Sequence, residues 1–195
     1  MKKNPKRDIF LSIKKQYYKI EESIEKNPKR QFIYFIIGFL IFYLILNFLI
    51  SFFPKGFFES FVGLQINFLI NLQGISTQTF FGEQFVINLI ESGKTINIVW
   101  LCTGILEMII LISTIIVTFK IGFREKIIGI ISAIIIGHLF NLLRIIITIN
   151  IYLTQNSTVL EFAHDFLFKA TLFLYIIIVY VFWFYWGIKK TQKKK

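Results

Sequence analysis

Three side chains in this sequence have the chemistry to break and remake an acyl bond. Cys102, the sole cysteine, lies in Trp100-Leu101-Cys102-Thr103-Gly104-Ile105-Leu106-Glu107, where a polar, strand-like segment runs into an apolar block. Arg144 sits inside a later apolar block, and His164 stands just before the last one. A thiolate attacks a carbonyl and forms a thioester, and a neighbouring cation favours the thiolate. An imidazole passes a proton to the leaving amine and takes one from the incoming nucleophile. A guanidinium stabilises the oxyanion, most strongly where water is scarce. Each residue also has a plainer use: the cysteine as a small packing group, the arginine as the ion-pair partner of Glu107, the histidine as an interfacial hydrogen-bonding group. Only a shared location would favour the chemistry.

That location depends on how the chain crosses a membrane. The sequence is 55% hydrophobic and 18% aromatic, with 24 Phe, and its apolar residues come in blocks near the ~20 residues that cross a bilayer core. This pattern predicts an all-α integral membrane protein whose helices satisfy their own backbone polar groups. The net charge of +11 is confined mainly to tails and one short loop. It therefore reports orientation and not nucleic-acid binding. One cysteine leaves no internal disulfide and no thiol-type four-ligand zinc site, and the chemistry above needs no metal and no other cofactor. The first apolar block starts near Phe32 with no small-residue cleavage site after it, so it is expected to stay as an anchor.

In chain order, residues 1–31 read as a basic cytoplasmic tail. The spacing of Ile9, Ile13, Ile20 and Ile24 would allow an amphipathic helix on the membrane surface, but a solvated tail is the simpler reading. Residues 32–188 read as one membrane domain with four spans, at about 32–53, 100–119, 127–152 and 166–188, and residues 189–195 as a second basic tail. The segment 54–99 is expected outside the membrane. Within it, Phe57, Phe61, Leu64, Phe68 and Leu72 recur at helical spacing among polar residues, which suggests a helix lying in the interface. Gln84–Ile90 and Thr95–Leu101 are strand-like and flank Glu91-Ser92-Gly93-Lys94, a hairpin turn. Eighteen of the 22 Lys and Arg fall on one side of this four-span arrangement, so both termini are expected in the cytoplasm. A crossing by residues 57–73 would put the Lys-rich C-terminus outside. Asn156-Ser157-Thr158 is a glycosylation sequon in the last external loop.

With that topology Cys102 opens the second span at the outer face, and His164 precedes the fourth at the same face. Arg144 lies eight residues below the end of the third span, roughly 12 Å at helical rise, within snorkelling reach. Five further residues could support them: Thr103 and Gly104 beside the cysteine, Glu107 below it, and His138 and Asn141 on the third span. Asn141 shares a helix face with Arg144 and could orient the guanidinium. His138 is expected to make an interhelix hydrogen bond.

Cys102-Thr103-Gly104-Ile105 opening one span, Asn141-Leu142-Leu143-Arg144-Ile145 near the end of the next, and His164 opening the last resemble the exosortase/archaeosortase family, over about residues 85–185. The resemblance implies a polytopic membrane cysteine protease/transpeptidase. Its partner would be an exported, membrane-anchored protein with a C-terminal sorting signal: a short motif, a hydrophobic span and a basic tail. The enzyme would cut near the motif at the outer face of the cytoplasmic membrane and pass the new C-terminus to an acceptor, a lipid in archaea. Carried over, Cys102 is the nucleophile, Arg144 the transition-state stabiliser and His164 the proton donor. The competing reading is a non-catalytic membrane scaffold or accessory subunit held by a polar network of Glu107, His138, Asn141 and Arg144.

Overall fold

A computed structural model describes residues 27–154 and 168–192 of the chain. In order these form α1 (Pro28–Ile50), α2 (Phe57–Leu72), β1 (Thr77–Phe80), β2 (Phe85–Leu89), β3 (Thr95–Ile98), a 3-10 turn (Trp100–Cys102), α3 (Ile105–Val117), α4 (Phe123–Thr154) and α5 (Phe168–Gln192). The protein is a helical integral membrane protein. Pro28–Ile50, Phe123–Thr154 and Ala170–Gln192 are long and apolar enough to cross a membrane, and α2 and α3 are shorter apolar helices. The described residues divide within α1 into two units, up to Ile41 and from Phe42 onward. Residues 1–26 and 193–195 of the basic tails, the sequon and His164 lie outside the described residues, while Lys29, Arg30, Lys189 and Lys190 fall within α1 and α5.

The Asn27 side chain sets the start of α1 by accepting the Lys29 and Arg30 amides at 3.1 and 3.4 Å. Pro28 then occupies the first helical position, where a missing N–H costs nothing. The helix therefore begins four residues before the apolar block. None of its side chains is buried, which suits an apolar surface made for lipid. Its one amide, Asn47, is satisfied locally by donating to the Tyr43 carbonyl at 2.9 Å.

The second unit has two layers. In the first, a three-stranded antiparallel sheet in the order β1-β2-β3 packs on α2. The expected turn is present: Gly93 takes a positive φ of 63°, and Leu89 N–H donates to the Lys94 carbonyl at 2.9 Å. The expected two-stranded hairpin is extended by β1, which pairs with β2 from Thr77↔Leu89 to Phe80↔Val86. β1 has no apolar face to betray it. It is tied to α2 instead, its Thr77 hydroxyl shared between the Asn67 and Asn71 side-chain oxygens. The inner sheet face, Phe85, Ile87, Leu89 and Ile98, is buried against Val62, Ile66 and Ile70 of α2 and Leu142, Ile145 and Ile149 of α4. The stripe Phe57, Phe61, Leu64, Phe68 and Leu72 stays exposed on the other side of α2. The helix is thus apolar on two faces, one for the sheet and one left for lipid, as an interfacial helix requires.

The second layer is α3, α4 and α5. The segment expected as a span over 100–119 is not one helix. Gly104 takes a left-handed φ of 73° and separates the 3-10 turn from α3, and Thr118 is extended at the other end. The remaining 13 residues reach only ~20 Å at helical rise, short of a ~30 Å hydrocarbon core. α4 errs the other way. Its 32 residues run ~48 Å, so the helix that crosses the membrane also supplies Ile145 and Ile149 to the sheet layer. On α4, Gly129, Ala133, Gly137 and Asn141 are buried at every fourth position, a small-residue face that admits close packing. A Cβ at Gly129 would run into the Trp183 indole. The donors of that packing are satisfied by α4 carbonyls: Trp183 Nε1 donates to Glu125 and the Tyr175 hydroxyl to Ala133, both at 3.0 Å.

Candidate active site

The cysteine is carried on a short structure built by its neighbours. Cys102 N–H donates to the Val99 carbonyl at 2.8 Å, and Thr103 N–H to Trp100 at 3.0 Å. The Thr103 hydroxyl also donates to the Trp100 carbonyl at 2.7 Å and accepts the Ile105 amide at 3.4 Å. Thr103, only 1% exposed, thus closes the turn and opens α3. Gly104 follows in the left-handed conformation that glycine adopts without penalty. It is also where α4 comes closest: a Cβ there would stand 2.9 Å from the Asn141 side chain. The Cys102 side chain is half-buried and packs on the edge of the core between α2 and the sheet. The Trp100 ring rests edge-on against Phe58 of α2, centroids 5.9 Å apart.

α4 brings the other groups to this turn. Asn141, 1% exposed, donates from Nδ2 to the Cys102 carbonyl at 2.9 Å. The sequence suggested that Asn141 orients the guanidinium. Its amide instead anchors the main chain of the cysteine, and its buried Oδ1 has no hydrogen-bond partner. Arg144, one turn further on, is buried. Its guanidinium interacts electrostatically with Glu107 most strongly and with Cys102 next. Cys102, Arg144, Glu107, Asn141, Thr103 and Gly104 therefore come together where the start of α3 meets α4. The meeting follows from length: α3 is short, and Asn141 is ~27 Å along α4 from Phe123.

The family model described as transmembrane exosortase matches residues 29–183, which takes in α1 and every residue just placed. The chain belongs to the transmembrane exosortase family. No curated protein and no solved structure matches it. The match starts well before the stretch on which the likeness was read, so α1 and the sheet belong to the family's pattern as well.

In this exosortase-family protein His138 points elsewhere. It is six residues before Arg144, about 120° around the helix, and its Nε2 is hydrogen-bonded to Gln65 Oε1 on α2 at 2.8 Å, with the Phe61 ring 5.4 Å away. The expected interhelix hydrogen bond is there, with α2 as the partner helix. Of the four residues in the competing polar-network reading, His138 bonds to Gln65 of α2 and Asn141 to the Cys102 carbonyl, while Glu107 acts on Arg144 through its charge. Gln65 was not singled out from sequence, although an amide on an apolar helix signals a polar partner; it stood among Asn67 and Asn71, and nothing in the spacing told which of them faces α4. Glu59 was also passed over. It is a carboxylate only 7% exposed in the first turn of α2, the helix that packs on the 100–102 turn. Among the described residues no group of three or more His, Cys, Asp or Glu could hold a metal ion.

Proposed function

We propose that this family member is a membrane cysteine transpeptidase that cleaves C-terminal sorting signals of exported proteins at the outer face of the cytoplasmic membrane. The observation that carries the reading is the Asn141 hydrogen bond to the Cys102 carbonyl at 2.9 Å, which brings the half-buried thiol to the helix that bears the buried Arg144 one turn away, in a chain of the exosortase family. The Cys102 thiolate attacks the scissile carbonyl, and the oxyanion that forms is stabilised by Arg144. The intermediate collapses to a thioester as the C–N bond breaks, and His164 gives its proton to the leaving amine. An acceptor hydroxyl, on a lipid, then loses its proton to His164 and attacks the thioester, which releases the new ester and regenerates the thiolate. Atoms and charge balance with no other reagent.

Glu107 serves Arg144 as its fixed counter-charge, which lessens the cost of holding a guanidinium at this depth. Thr103, Gly104 and Asn141 hold the nucleophile's main chain. The substrate's hydrophobic span lies among the helices in lipid, with its basic end in the cytoplasm, as the positive-inside pattern of this chain's own tails supports.

The test uses a tagged protein from the same cell that ends in an apolar span and a basic tail and that the wild-type protein shortens. Cys102→Ala and Arg144→Lys are each expected to leave it at full length, with the variants still present in the membrane. Normal shortening by Cys102→Ala would return the scaffold reading.

A further inference from the structure

Resting on the reading above, we infer that the outer edge of β3 is the docking strand for the substrate: an extended segment beside the scissile bond adds to the sheet as a fourth strand. Among the described residues β3 is an edge strand, paired with β2 alone. The Leu89–Lys94 hydrogen bond and the register Phe85↔Ile98 through Asn88↔Thr95 fix which backbone groups point outward. Pairs alternate along an antiparallel ladder, so Ile96 and Ile98 turn to β2, while Thr95 and Asn97 turn their N–H and C=O groups away from it. Both residues are exposed, and among the described residues no backbone hydrogen bond joins their outward groups to another element. Exposed edges are ordinarily blunted by a proline, a bulge, a charged side chain or a covering element. Within β3 there is neither proline nor charge, and Lys94, which precedes it, directs its ammonium to the Tyr152 carbonyl at 2.7 Å.

What commits this edge to a peptide is where it leads. From Ile98 the chain passes through extended Val99 straight into the Trp100–Cys102 turn. A strand laid along β3 is thereby aimed at the thiol. Asn97 and Trp100 are three residues apart, about 10 Å at strand rise, so substrate residues paired with Asn97 lie about three to five positions from the carbonyl that reaches Cys102. Only an extended peptide offers donors and acceptors at this alternation, and main-chain pairing is the usual basis of strand addition. The far edge of the sheet, on β1, is equally bare but runs on from Phe80 into the 81–84 connection and not toward the cysteine, which makes it the internal control.

The experiment follows shortening of the tagged substrate by Asn97→Pro and Thr79→Pro. Proline on an outward edge position is compatible with the sheet, and Thr79 has the same outward orientation on β1. Asn97→Pro is expected to slow shortening roughly tenfold through loss of one docking hydrogen bond and a steric block, chiefly as a rise in KM, with Thr79→Pro near wild type. Wild-type behaviour of Asn97→Pro, or equal losses in Asn97→Pro and Thr79→Pro, overturns the proposal. A second measurement is independent of proline. With Cys102→Ser as background, Asn97→Cys is tested for disulfide formation against single cysteines placed along the substrate segment. Strand addition gives crosslinks at alternate positions; uniform crosslinking or none overturns it. The catalytic reading is judged separately: if Cys102→Ala shortens the substrate normally, that reading fails, whereas inactive Cys102→Ala beside fully active Asn97→Pro sinks only the docking strand.

Discussion

The cysteine owes its position to two residues that carry no reactive group. Gly104 is required twice over, by its positive φ and by the nearness of Asn141. Gly104→Ala is expected to cost roughly 1–3 kcal/mol from backbone strain alone, seen as a lower unfolding temperature in detergent, and to change the alkylation rate of Cys102. Asn141→Ala leaves the Cys102 carbonyl buried without its donor, a loss of about 1–3 kcal/mol. Shortening of the tagged substrate is expected to fall at least as far as stability does, while Asn141→Gln, which keeps the donor but displaces it, restores neither. At this scale the sequence was legible in part. Cys102, Arg144 and Asn141 stand out because polar residues inside apolar blocks are expensive and so have a purpose. Which atom each one touches was not legible: Asn141 and Arg144 share a helix face, but nothing in the spacing told that the amide turns to a main-chain carbonyl on another helix.

Elements were read well where composition and geometry agree, and poorly where a single dihedral decides. A hydropathy pattern sees 100–119 as one apolar run, because Thr103 and Gly104 barely lower its average. The left-handed φ at Gly104 is invisible to it, yet that angle makes a turn and a 13-residue helix out of one span. β1 was missed because its sequence, Thr-Gln-Thr-Phe, alternates nothing apolar and is held by side-chain hydrogen bonds to α2. The small-residue face of α4 offers a sharp check on the helix packing. Gly129→Leu must displace the Trp183 indole from the groove it fills and is expected to destabilise the bundle by roughly 1–3 kcal/mol as overpacking. Trp183→Phe, which loses the bond to the Glu125 carbonyl together with part of the ring packed against Gly129, costs roughly 1–3 kcal/mol. Thermal unfolding of both variants in one detergent compares them directly.

For the whole molecule, orientation is the claim most open to test. With Cys102→Ser as background, a single cysteine at Ser92, in the β2–β3 turn, is expected to react with a membrane-impermeant maleimide in intact cells. One at Gln192, at the end of α5, should react only after permeabilisation. The reverse pattern would put the thiol inside and end the sorting-signal reading. The length of α4 carries this further. One unbroken helix joins Phe123 to the sheet layer, so the distance between them is a constant of the protein and not of its surroundings. In the proposed orientation, with Phe123 at the inner leaflet, such a rigid strut makes the protein a gauge of acyl-chain length. In vesicles of short- or medium-chain lipid Cys102, the proposed nucleophile, is then expected near the headgroups; in long-chain lipid it is expected to sink among the tails, out of reach of polar acceptors. Turnover of the tagged substrate should therefore decline as the reconstituting lipid is lengthened, with the fold itself unchanged.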